Sequence, residues 1–189
     1  MVKLYLALLA ALALERLVEL VLSARHAAAA FARGGFEVGQ RHFRLMAALH
    51  VAFLVGCAAE VVLLHRPFRP LLAAPMLALL LLAQGLRYWA VFTLGALWNV
   101  RVIVIPGTAA VDRGPYRFVR HPNYLAVMVE GIAIPLLHGA WITAIVFTAL
   151  DSMLLAVRVR CEEHALAVHM GYAARLGGRP RFLPRVLGG

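Results

Sequence analysis

Five apolar stretches, separated by polar and arginine-bearing segments, organise this chain: about Leu4–Leu22, Leu45–Leu64, Leu71–Leu94, Tyr124–Leu137 and Trp141–Val157. The first three approach the ~20 residues that carry a helix across a bilayer core. The last two are shorter, and only His138-Gly139-Ala140 separates them, which predicts a tight helical hairpin. Pro122 can open the fourth helix, because its missing N–H would be unpaired there in any case. Pro135 removes a donor late in the same helix and is expected to kink it. Trp98–Ile105 is rich in β-branched residues and weakly alternating, so it reads as an extended or interfacial strip. Ala27–Ala30 reads as helical or interfacial. Without a repeat or flexible linker, residues 1–189 form a single domain. Its first three spans lie within 1–94, and the motif loop, hairpin and C-terminal tail lie within 95–189. The expected fold is an all-α integral membrane bundle of five transmembrane helices.

Composition agrees with that pattern. The chain is 63% hydrophobic, against ~45–50% in soluble domains, and its mean hydropathy is +0.82. The formal net charge is +10, and Lys3 is the only lysine. Arginines clustered beside apolar runs fit anionic headgroups and topology signals better than nucleic acid. Arg25, Arg33, Arg41 and Arg44 fall after the first stretch; Arg101, Arg113, Arg117 and Arg120 after the third; Arg175, Arg179, Arg181 and Arg185 in the tail. Lys3, Arg66 and Arg69 fall on the other side. By the positive-inside rule the N-terminus is outside and the third loop and tail are cytoplasmic, as in a bacterial inner membrane. Within the first stretch, Glu15, Arg16 and Glu19 directly follow the run Leu4–Leu14 with no small-residue cleavage site, so it reads as part of a span rather than a removed leader. Cys57 and Cys161 have no metal-ligand spacing and read as structural; no metal is expected.

Ionisable groups inside spans are costly and call for partners. Glu15 and Glu19 share a helix face and predict a polar seam. Glu60 and Gln84 read as inter-helix hydrogen bonders, and Arg87 is expected to snorkel to the interface.

The chemistry concentrates in Gly114-Pro115-Tyr116 and Arg120-His121-Pro122-Asn123-Tyr124, which open directly into an apolar segment carrying Glu130. The free N–H groups of that helix start, with Arg117, Arg120 and His121, suit an anionic group. Tyr116 and Tyr124 offer aromatic faces for a sulfonium or ammonium. At the end of the fifth stretch, Arg158 and Glu162 share one face and Arg160 and His164 the next. They form either a solvated helix end or, with His121, one wall of a pocket.

Together these marks, with Glu162-Glu163-His164-Ala165-Leu166, Gly171-Tyr172 and the Pro180–Pro184 tail, resemble the isoprenylcysteine carboxyl methyltransferase family over roughly Arg101 to Pro184. The resemblance implies a five-span core that uses S-adenosylmethionine at the cytoplasmic face. It implies cofactor contacts at Thr108, Ala109, Ala110, Val111, Tyr116, His121, Pro122, Asn123, Tyr124 and Glu162, and acceptor binding at Arg158. Thr108–Ala110 are small where relatives can carry a histidine, so contacts there fall to the backbone. The implied reaction is in-line O-methyl transfer to a lipophilic acceptor. That acceptor is a prenylcysteine-type carboxylate or a hydroxyl of a long-alkyl phenol or pyrone, with its tail among membrane lipids. A carboxylate needs no base; for a phenol or enol, Glu163, His121 and Tyr124 are candidates. Two alternatives stand beside this: a phospholipid N-methyltransferase-like enzyme, whose protonated amine Arg158 would repel, and a membrane scaffold or transporter without catalysis.

Overall fold

A computed structural model of the chain describes residues 1–170 and 172–183; Gly171, Pro184 and Arg185, assigned above to the tail, lie outside them. Five long helices carry the five apolar stretches: α1 Val2–Ala32, α2 Gln40–Leu63, α3 Pro70–Leu94, α4 Pro122–Leu136 and α5 Trp141–Met170. A short α6, Tyr172–Leu176, follows. Proline opens α3 and α4 at positions where no donor is lost. Among the described residues, three helices are long and apolar enough to cross a membrane: α2, α3 with the 3-10 turn after it (Pro70–Leu97), and α5. α4 is apolar but has 15 residues. α1 has 31 residues, with Glu15, Arg16 and Glu19 near its middle.

The bundle is not purely helical. β1, Phe36–Val38, pairs antiparallel with β2, Val102–Val104, with Glu37 opposite Ile103. Three residues between Gly34-Gly35 and Gly39 are too few to carry a visible period of two, so β1 left no mark in the hydrophobic pattern. α1 also runs ten residues past Leu22, because its last turns grip the segment that leads into β2. There Asn99 Nδ2 donates to the Ser23 carbonyl at 2.9 Å and His26 Nδ1 meets the Trp98 carbonyl at 2.8 Å. The first loop therefore keeps only Arg33. Arg25 lies on α1, and Arg41 and Arg44 lie on α2.

The α4–α5 hairpin closes as expected. Gly139 adopts φ +73°, and the Ala140 N–H donates to the Pro135 carbonyl at 2.9 Å. α4 ends one residue after Pro135, yet the Leu137 N–H still reaches the Ala133 carbonyl at 3.0 Å, so the chain leaves the helix at the Gly139 turn. At Gly131 the two helices touch: a Cβ there would stand 2.6 Å from the Phe147 ring. The core joins Tyr5, Leu9 and Leu12 of α1 with Phe53, Cys57 and Val61 of α2, Leu80 of α3, Ile134 of α4 and Phe147 of α5. The Tyr5 hydroxyl donates to the Ile134 carbonyl at 3.0 Å. Leu71, Phe92 and Ile145 point outward and exposed, as a lipid-facing surface requires.

Several buried charges are paired between helices. Arg87 donates to both Glu19 oxygens, at 2.8 and 2.6 Å. Arg16 bridges Glu19 at 2.7 Å and Glu130 at 3.2 Å, and Gln84 donates to Glu15 at 3.0 Å. This is the expected seam, but Arg87 does not snorkel. It is 5% exposed, because a forked pairing with the Glu19 carboxylate, with Glu130 3.8 Å from Nη1, holds the guanidinium inside the bundle. Glu60 accepts the N–H groups of Ile142 at 3.1 Å and Thr143 at 2.7 Å, the Thr143 hydroxyl at 2.8 Å and Arg66 Nε at 3.0 Å. It thereby caps α5 from α2.

Candidate active site

The site is built where the motif loop, the end of α5 and the tail meet. Gly114 turns the chain at φ +58° against Thr93, whose side chain a Cβ at 114 would strike. The 3-10 turn Gly114–Arg117 then buries Pro115 and Tyr116. The tail lies along the next residues. The Arg120 N–H donates to the Pro180 carbonyl at 2.9 Å, and the His121 N–H to the Arg181 carbonyl at 3.0 Å. Arg120 Nε donates to the Arg179 carbonyl at 2.7 Å, and Arg179 Nη1 to the Tyr116 carbonyl at 2.6 Å. Glu163 pins this arrangement, holding Arg120 at 3.0 Å, His121 Nε2 at 3.1 Å and Arg181 at 2.8 Å.

One turn into α4, the Tyr124 hydroxyl donates to Glu162 and accepts Arg158 Nε at 2.8 Å. Arg158 also donates to the Val100 carbonyl at 2.5 Å and contacts the Met46 sulfur at 3.6 Å. Its guanidinium carbon lies 5.6 Å from the centre of the Tyr124 ring. A continuous chain Glu162–Tyr124–Arg158 thus joins α5 to α4 and to the strip before β2. His121 stacks on Tyr124 with ring centres 5.3 Å apart.

These groups wall a cavity of about 590 Å³, within the size range of small-molecule sites. Ala110, Val111, Tyr116, His121, Asn123, Tyr124, Arg158 and Glu162 all line it; Thr108, Ala109, Pro122 and Glu163 do not. Arg160 and His164 are exposed. Of the two sequence alternatives for the end of α5, the face with Arg158 and Glu162 is the pocket wall, and the next face is solvated. Among the described residues, the Trp98 Nε1, Asn123 Oδ1 and Tyr172 hydroxyl atoms are buried without a hydrogen-bond partner, and all three residues line the cavity. Buried polar atoms left open cost about 1–3 kcal/mol each, so their convergence marks a place for a polar ligand. Burial, reinforced by the charge of Glu162, pushes the Tyr116 phenol well above its ordinary value. Burial and then Glu162 and Glu163 do the same at Tyr172. Both therefore act as neutral hydroxyls.

The cavity extends beyond the motif. Leu17 and Leu20 of α1 and Val51 and Val55 of α2 line it while remaining 43–64% exposed. It therefore opens sideways between α1 and α2, through an apolar surface. Arg16, Glu19, His50, Arg87 and Trp98 also line it and were not among the residues expected. Arg16, Glu19, His50 and Arg87 come from helices that share no motif with the loop, and only their polarity inside apolar stretches marked them; Trp98 comes from the strip before β2.

The family model for the isoprenylcysteine carboxyl methyltransferase (ICMT) family matches residues 76–168, beginning within α3, ahead of Arg101. The chain is 36% identical over 160 residues to "Uncharacterized protein YpbQ" of Bacillus subtilis, covering 84% of this chain and 94% of that protein. It is 30% identical over 153 residues to an "Uncharacterized protein" of Haemophilus influenzae, covering 80% and 88%.

Proposed function

Because this chain belongs to the isoprenylcysteine carboxyl methyltransferase family, we propose that it is an S-adenosylmethionine-dependent O-methyltransferase acting on a lipophilic acceptor within the membrane. The observation that carries this reading is the cavity in which Asn123, Trp98 and Tyr172 present unpartnered polar atoms beside Tyr116, Tyr124 and Glu162. Two open donors and one open acceptor suit a cofactor with an amino-acid and a nucleoside end. S-adenosylmethionine supplies an electrophilic methyl group on a sulfonium. The aromatic face of Tyr116 favours that positive charge, and Glu162, held by the Tyr124 hydroxyl, balances it. His121 packs Tyr124 in place, while Thr108, Ala109 and Pro122 shape the backbone around Ala110, Val111 and Asn123.

Arg158 holds the acceptor oxygen. Since Arg158 and Glu162 share the Tyr124 hydroxyl, the two reactants are fixed relative to each other, which is where much of the rate enhancement arises. The side opening between α1 and α2 admits the alkyl chain of the acceptor from the bilayer. All five helices cross the membrane in this reading: the charges of α1 are neutralised inside the bundle by Arg87 and Glu130, and α4 crosses as half of a hairpin. The arginine distribution puts the motif end at the cytoplasmic face of a bacterial inner membrane and the N-terminus outside.

Calorimetric titration of detergent-purified protein with S-adenosylmethionine tests the reading. Saturable binding that weakens at least about tenfold in Asn123→Ala is expected from the loss of one buried hydrogen bond. No binding by a folded protein would remove the cofactor and the reading with it.

A further inference from the structure

His50 lines the cavity but has no part in the reading above. It lies on α2 one turn beyond Met46, the residue whose sulfur touches Arg158, so its ring is deeper in the bundle on the Arg158 side. Its Nδ1 is 2.8 Å from the Met46 carbonyl oxygen. A carbonyl oxygen only accepts, so Nδ1 bears the hydrogen, and in the neutral ring Nε2 is the basic nitrogen. Phe147 meets the imidazole edge-on, ring centres 5.3 Å apart at 88°. His50 lines both the large cavity and a small adjoining one of about 30 Å³.

The charged groups around the ring come from three other helices. Glu130 on α4 and Asp151 on α5 lie within electrostatic reach of it. Arg16 on α1 shares both cavities with it and is itself paired to Glu19 and Glu130. Arg158, seven residues after Asp151 on α5, lies toward the motif end. Asp151 is 2% exposed, and its Oδ1 has no hydrogen-bond partner among the described residues.

We propose that His50 is the general base of this site, taking the proton from a hydroxyl-bearing acceptor, a phenol or enol with a long alkyl chain, held between Arg158 and His50. This rests on the methyltransferase reading and narrows its acceptor. The O–CH3 bond forms as the S–CH3 bond of the sulfonium donor breaks, with the electron pair left on sulfur as a neutral thioether. The hydroxyl proton passes to Nε2 and leaves an imidazolium, so charge is conserved. The other candidates are occupied: Glu163 is outside the cavity and holds Arg120, His121 and Arg181, and the Tyr124 hydroxyl is committed to Glu162 and Arg158. A carboxylate acceptor has no proton to give, so it gains nothing from this base.

The test uses the full-length protein in lipid nanodiscs with three probes: 3-pentadecylphenol, its more acidic nitro derivative, and N-acetyl-S-farnesylcysteine. His50→Gln and His50→Asn keep a polar amide and remove the basic nitrogen. In a folded variant S-adenosylmethionine binding, read by calorimetry, stays within about twofold of wild type. Methylation of pentadecylphenol falls by about 100-fold or more, the usual contribution of a positioned base. Methylation of the nitrophenol, which ionises unaided, falls by less than about tenfold. Equal losses on both phenols, methylation confined to the farnesylcysteine carboxylate, or cofactor binding without methylation of any phenol would each overturn the proposal. Should neither variant fold, the wild-type protein decides. Similar rates on the two phenols support a resident base, and a steep dependence on acceptor acidity contradicts it. Failure of the folded protein to bind S-adenosylmethionine would instead overturn the methyltransferase reading itself.

Discussion

Glu60 and Glu162 stand at opposite ends of the bundle and use their carboxylates in opposite ways. Glu60 is saturated: two backbone N–H groups, a hydroxyl and a guanidinium converge on it, and it lines neither cavity. Glu162 takes the Tyr124 hydroxyl and turns its remaining capacity toward a cavity whose other walls hold unpartnered polar atoms. A closed carboxylate fastens helices, whereas an open one beside orphaned donors waits for a ligand. Buried charge alone does not separate structure from function; whether its hydrogen-bonding capacity is used up does.

The sharpest break of this contrast is expected at Arg158, the cationic partner at the open end. Arg158→Ala should cut turnover by about 10³-fold, as loss of a positioning and charge-stabilising group does, while S-adenosylmethionine binding stays within a few-fold. Radiolabelled methyl transfer and calorimetry on the same preparation separate the two. Equal losses in binding and turnover would put Arg158 on the cofactor side instead. Tyr124→Phe removes the hydroxyl that ties Glu162 to Arg158 and keeps the ring. A lost hydrogen bond to a charged group is worth about 1.5–3 kcal/mol, so methylation should fall by about 10- to 100-fold. An unchanged rate would mean that the two ends of the chain act independently.

Smaller effects probe the side opening. Leu20→Trp narrows the passage between α1 and α2, and the KM for a long-alkyl acceptor should rise by about tenfold, in keeping with overpacking costs of 1–3 kcal/mol. The S-adenosylmethionine Kd should not move. A rise in both would show that the passage serves the cofactor as well.

Much of this was legible along the chain. Five apolar runs became five helices, and Pro122, Gly139 and the Glu15–Glu19 spacing did what local physics requires of them. The motif residues Tyr116, His121, Asn123, Tyr124, Arg158 and Glu162 share one cavity because they lie on a short loop and two adjoining helices. What stayed hidden depends on contacts between distant segments. The β1–β2 ladder is too short to show a period. The snorkelling expected of Arg87 fails because Glu19, 68 positions earlier, lies opposite it. Glu163 looked like Glu162 in sequence, but one step round the helix aims it at the tail. His50 resembled any polar residue in a span until α2 was placed beside the cavity.

The most direct test compares Glu162→Gln with Glu60→Gln, measuring the S-adenosylmethionine Kd by calorimetry and the melting temperature on the same samples. The account predicts that Glu162→Gln weakens binding at least about tenfold with little change in melting temperature. It predicts that Glu60→Gln loses about 1–3 kcal/mol of stability and lowers the melting temperature with Kd unchanged. The opposite pattern, or a Kd insensitive to both, would contradict the claim that the open carboxylate at the motif end marks the cofactor site.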